Sequence, residues 1–122
     1  MENKQVLTPE EVTAFELKAT EIAKERGVPK VHPVVFIQPT TFKRIVAYLR
    51  QPTFSEKLFA MDQALTAGVY MSANNLAELL LIREHSDALC VADSTEADDV
   101  KMGIVDYCMG LVSRYQNQFA KK

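Results

Sequence analysis

The stretch Leu7-Thr8-Pro9-Glu10-Glu11-Val12 constrains this chain more than any other short segment, because most of its residues have a defined task at a helix start. Thr8 can accept a hydrogen bond from the amide of Glu11 while the Glu11 carboxylate accepts one from the amide of Thr8. Pro9 suits the first helical position, where no amide partner is required. Leu7 and Val12 stand where a hydrophobic staple closes. Val12, Phe15, Ala19, Ile22 and Ala23 then follow as one apolar stripe at helical spacing. Gly27 offers a left-handed stop and Pro29 prevents resumption, so the spacing predicts a helix over about 9–26. The same grammar returns at Pro52-Thr53-Phe54-Ser55-Glu56. A second helix begins there, with Phe54, Leu58, Met61 and Leu65 on one face and Gly68 as terminator.

Between these two starts the pattern changes. Val31 to Gln38 is rich in β-branched and aromatic residues and lies between Pro33 and Pro39, which suits a short strand. Residues 42–50 are ambiguous: Phe42, Ile45, Val46 and Leu49 match a helical stripe, and strand alternation fits less cleanly. A strand is the better reading, because the preceding strand needs a neighbour for its backbone groups and Pro39-Thr40-Thr41 can reverse the chain. A β-hairpin over about 33–50 follows. If it has only two strands, at least one edge is expected to be open to strands from another copy or a partner, making the chain a candidate homo-oligomer.

After Gly68, Ser72 is expected to cap a third helix carrying Leu76, Leu79 and Leu80, with Leu81 and Ile82 widening its apolar side. Residues 86–94 form a connecting segment in which Ala88-Leu89-Cys90-Val91 predicts a buried turn. Ser94 or Thr95 caps the last helix, where Glu96, Asp98 and Asp99 suit the positive end of the helix dipole. Val100, Ile104, Tyr107, Cys108, Leu111, Tyr115 and Phe119 trace its stripe, and Lys121 and Lys122 complement the negative end. Gly103 and Gly110, seven apart, would let another helix approach closely. The expected architecture is an α+β domain, mostly α: about four helices packed with one β-hairpin. It occupies residues 1–122 as a single domain, with helical part over about 54–119.

Hydrophobic residues at 48% place the chain among folding, globular sequences. A formal charge of -2 leaves no net positive field for a phosphate backbone, and Lys43, Arg44 and Arg50 read as a solvated rim, so nucleic acid is not an expected partner. The longest apolar run, Leu79 to Ile82, is far short of a membrane span, and Met1-Glu2-Asn3-Lys4 does not open a secretory signal. A cytoplasmic location without membrane contact is expected. Cys90 and Cys108 then read as small buried hydrophobes rather than a disulfide.

Catalysis finds little support. His85-Ser86-Asp87 contains the residue types of a hydrolase triad, but adjacent side chains cannot converge as that mechanism requires. Asp87, Asp93, Asp98 and Asp99 lack the spacing of a calcium loop, and His32, His85, Cys90 and Cys108 lack the paired spacing of a zinc site. No catalytic residue, metal or cofactor is expected. Methionine and tyrosine bury well while tolerating different partners. Tyr70, Met71, Leu76, Leu80, Leu81 and Met109 are therefore the candidate protein-binding residues, on the argument that a domain this small cannot cover the whole apolar surplus of its last two helices.

At Ala47-Tyr48-Leu49-Arg50-Gln51-Pro52-Thr53, preceded by a strand and followed by a helix with Lys57 and Met61, the chain resembles the tail assembly chaperones of long-tailed bacteriophages and prophages. In that family a hairpin ends in an aromatic-leucine-basic-x-Pro-Thr step, followed by short helices, an acidic step and a terminal helix. Leu79-Leu80-Leu81, then Glu96-Ala97-Asp98-Asp99, then the helix with Ile104 and Leu111 keep that order over about residues 33–115. The resemblance implies a non-enzymatic protein that transiently coats the tape-measure protein during tail assembly, and it brings no catalytic residues. A structural component of the phage particle, such as a connector or tail subunit, and a small enzyme with an unrecognised site are the alternatives.

Overall fold

A computed structural model describes residues 4–112 and 118–119. Helix α1 spans Pro9–Arg26, strands β1 and β2 span Val31–Ile37 and Arg44–Arg50, and helices α2, α3 and α4 span Phe54–Ala67, Val69–Leu80 and Thr95–Leu111. Short 3-10 turns at Arg83–His85 and Ala88–Cys90 join α3 to α4. This is the α+β, mostly helical arrangement that the periodicities predict.

Both capping boxes form. Thr8 Oγ1 accepts from the Glu11 amide at 3.1 Å and Glu11 Oε1 accepts from the Thr8 amide at 3.0 Å. Thr53 and Glu56 repeat the exchange at 3.1 and 2.8 Å. Gly27 ends α1 at φ 68°, a left-handed conformation that costs glycine little. Ser94 caps α4 by accepting from the Ala97 amide.

The hairpin is antiparallel, with Val31 opposite Arg50 and Ile37 opposite Arg44. Its reversal is organised by Gln38, whose side-chain oxygen accepts the amides of Thr40 and Thr41 at 2.6 and 2.7 Å, and by Phe42 at φ 61°. The hairpin is the middle layer of the fold. On one face, Val31 and Tyr48 pack with Ala19, Ile22 and Ala23 of α1 and with Ile82. On the other, Val34, Ile45, Ala47 and Leu49 join Leu76, Leu80, Ile104 and Cys108 of α3 and α4. Burial on both faces explains why residues 45–49 are apolar almost without a break, and therefore why their alternation is indistinct in the sequence. Fully buried Ile22, Leu49 and Leu80 each contribute roughly 1.5–3 kcal/mol.

Three expectations need correction, and the open-edge expectation holds for one edge of the hairpin only. Ser72 does not cap α3, which starts at Val69; it lies inside the helix, buried, and its hydroxyl donates to the Ala60 carbonyl at 2.5 Å. Leu81 and Ile82 do not widen the helix, because the backbone turns extended at Leu81. Leu81 instead bridges to Leu49, and the Ile82 amide donates to Tyr48 O at 2.9 Å. The outer edge of β2 is consequently not open: Asp87 N donates to Val46 O, and Ser86 Oγ accepts from Tyr48 N. The outer edge of β1 receives no backbone hydrogen bond among the described residues, but the bonding of Lys30 to Gln51 and of Gln38 to Lys43 sets Pro33 among its outward-facing positions. A proline there removes a donor that a neighbouring strand would need. Finally, α4 ends at Leu111, before Phe119, and Tyr115, Lys121 and Lys122 lie outside the described residues.

Two glutamates tie separate elements together. Arg44 of β2 donates to both oxygens of Glu11 and also to the carbonyls of Lys4 and Val6. Arg50 donates to Glu56 through two parallel bonds of 2.8 and 2.7 Å. The arginine bonds, helped by the capping amides, lower both carboxyls from the ordinary 4.5 to about 2. A carboxyl depressed in the folded state favours folding above its unfolded value and loses that contribution as pH falls through the folded one. Urea midpoints are therefore expected to drop between pH 4.5 and about 2. The drop should be shallower in Glu11→Gln and Glu56→Gln; equal slopes in all three proteins would contradict the assignment.

Candidate functional site

Helix α2 is anchored by few groups, most of them polar. The Arg50–Glu56 pair holds its first turn to β2, the Ser72 hydroxyl holds its middle to α3, and Asn75 reaches Gln63 at 3.4 Å. Ala60 is its one buried residue. Alanine and serine at this crossing let the two helices meet through their smallest side chains. The predicted stripe of Phe54, Leu58, Met61 and Leu65 consequently faces away from the core. Its centre lies about 130° around the helix from Ala60, at 100° per residue, and Phe54 and Leu65 are 75% and 86% exposed.

A second apolar feature lies where α2 and α3 diverge. Phe59 and Leu79, 65% and 53% exposed, form the walls of a groove of about 370 Å³ floored by Ala60 and Leu76. Gln63 and Asn75 lie along it as polar groups. Exposed aromatic and aliphatic walls over a buried floor, with polar groups beside them, make a surface suited to an apolar side chain or the face of a helix.

The six residues proposed from sequence do not form one surface. Tyr70 and Met71 are exposed at the start of α3, whereas Leu76 and Leu80 are core residues and Leu81 and Met109 are partly buried against that core. The reason is the rotation of α3: its buried side carries Ser72, Ala73, Leu76, Ala77 and Leu80, which leaves Leu79 outward. Phe59 was not among the sequence candidates. Its signal was an aromatic off the main stripe, which gives α2 more apolar circumference than one neighbour can cover.

Other chemistry-bearing residues are engaged separately. Ser86 donates to Ile82 O at 2.8 Å, Asp87 accepts from the Leu89 amide at 2.9 Å, and His85 faces Glu25 at 3.6 Å, so the three point to different partners. Cys90 and Cys108 are buried, and burial raises both thiols to about 11. His32 is buried between Gln51, at 2.6 Å from Nε2, and the Tyr107 hydroxyl, at 3.1 Å from Nδ1. That arrangement uses both nitrogens of the ring and ties β1 to α4. Among the described residues, no three histidine, cysteine, aspartate or glutamate side chains gather as a metal site would require, and no helix is long and apolar enough to cross a membrane. The chain matches no family model, no curated protein and no solved structure.

Proposed function

We propose that this chain is a non-enzymatic protein-binding module of the cytoplasm that shields an apolar helix of a tape-measure or other phage tail protein, as a tail assembly chaperone would. The observation that supports this reading is the groove walled by Phe59 and Leu79, which exposes large apolar side chains over a buried floor. A helix docked there would place its apolar anchors between α2 and α3 and its polar flanks against Gln63 and Asn75. The resemblance of residues 33–115 to tail assembly chaperones is the reason for proposing a tape-measure protein as the client.

Co-expression with the tape-measure protein of the same genome tests it. The wild-type chain is expected to co-purify with that protein, and Phe59→Glu and Leu79→Glu are expected to abolish capture while changing stability by no more than about 0.5 kcal/mol, as exposed substitutions do. Undiminished capture by both variants would remove the groove from the reading. The chain should also be missing from finished tails; its presence there would favour a structural subunit.

A further inference from the structure

We infer that the outward stripe of α2 is a self-association seam on which two copies of this chain pack as a short, parallel, two-stranded coiled coil. Phe54, Leu58, Met61 and Leu65 are spaced four, three and four residues apart, which is the alternation of a coiled-coil seam over two heptads. All four are exposed, and α2 buries Ala60 on a different side. The seam is thus present and largely unused within the chain, although Met61, 37% exposed, also lines a cavity with Cys108 and Met109.

Charge selects the occupant and its direction. With Phe54 and Met61 in one seam position and Leu58 and Leu65 in the other, Lys57 and Asp62 fall on opposite flanks, five residues apart. In a parallel pair, the residue on one flank meets the residue five positions further along the opposite flank of its partner, so Lys57 of each copy meets Asp62 of the other. The two-fold axis makes this contact twice. In an antiparallel pair like flanks face each other, and neither lysine meets an aspartate. Neither Lys57 nor Asp62 has an ion-pair partner among the described residues. The seam is self-complementary only when two copies run in the same direction.

A two-heptad contact is smaller than the roughly 800 Å² per partner of a standard interface. The dimer is therefore dissociable, with a Kd on the order of micromolar or weaker. The stripe lies on a different side of α2 from Phe59, so self-association and client capture are separable.

Sedimentation velocity of the full chain across micromolar concentrations is the test. Wild type is expected to move from monomer to dimer as concentration rises. Leu58→Glu should remain monomeric with an unchanged far-ultraviolet spectrum and still capture the client, whereas Phe59→Glu should still dimerise. Lys57→Glu and Asp62→Lys should each self-associate at least several-fold more weakly than wild type. Mixing the two should restore dimers, because each chain then meets opposite charges on its partner. A strictly monomeric wild type, or a dimer that survives Leu58→Glu, would overturn the inference. Failure of the mixed pair to recover would overturn the parallel arrangement.

Discussion

Replacing Leu80 with alanine is expected to lower the stability of this protein by about 2–5 kcal/mol, while the same change at the adjacent Leu79 should cost no more than about 0.5 kcal/mol. Leu80 is 0% exposed and belongs to the cluster that joins α3 to β2 and α4 through Leu49, Ile104 and Cys108. Truncation removes three carbons from a close-packed site and leaves a cavity that the surrounding elements can only partly fill. Leu79 is 100° further around the same helix and half exposed, so its truncation removes little buried area. Urea unfolding of the two variants separates the roles. A small loss at Leu80 would mean that α3 is rotated from the orientation described, and that Leu80 belongs on the binding surface after all.

Alanine at Gly103 is expected to destabilise the protein by about 1–3 kcal/mol, although alanine in place of a helical glycine ordinarily stabilises a helix by about 1 kcal/mol. The sign is reversed by one contact. A Cβ at Gly103 would stand 2.4 Å from Cε1 of Phe36, far inside van der Waals range. The ring of Phe36 packs partly buried against the main core, so displacing it costs contacts on its other side. With Phe36→Leu, the same alanine should become neutral or stabilising, because the clash is gone and the helix propensity remains. Thermal melts of the two single variants and the double variant test this. Stabilisation by Gly103→Ala alone would show that the ring swings aside at no cost.

This glycine also marks where sequence reasoning stops. The pair Gly103 and Gly110 suggests the close approach of another helix, yet the neighbour at Gly103 is the aromatic of a strand and nothing lies within 4 Å of a Cβ at Gly110. Spacing leaves room for a close approach but does not identify what approaches. Similarly, Ser72 carries the chemistry of a helix cap, but in the fold its hydroxyl reaches across to α2. Either use satisfies the group, and only the position of the neighbouring helix selects between them.

The candidate surface was legible as an excess and not as a location. The chain visibly holds more apolar residues on its later helices than a small core can take, but which of them remain outside follows from how α2 and α3 are rotated. Counting apolar residues favours the leucine run 79–82 as the exposed surplus. In the fold that run is cut by the extended turn at Leu81, and Ile82 is buried against α1. Leu79 alone of that run is exposed, and much of the surplus lies on α2, whose regular stripe had every feature of a core-facing side.

What the sequence determined by itself was whatever depends on residues within one turn of each other. The reciprocal caps Thr8–Glu11 and Thr53–Glu56, the left-handed stop at Gly27 and the reversal after Gln38 close through bonds spanning three or four positions, so no distant part of the chain can redirect them. The tertiary structure alone decided which faces meet. Alanine and serine at the α2–α3 crossing allow a closer approach than the stripe of Phe54, Leu58, Met61 and Leu65 would, and segment 81–87 occupies the outer edge of β2. These outcomes depend on competition among surfaces far apart in the chain, where small side chains and satisfied backbone groups can outweigh apolar area.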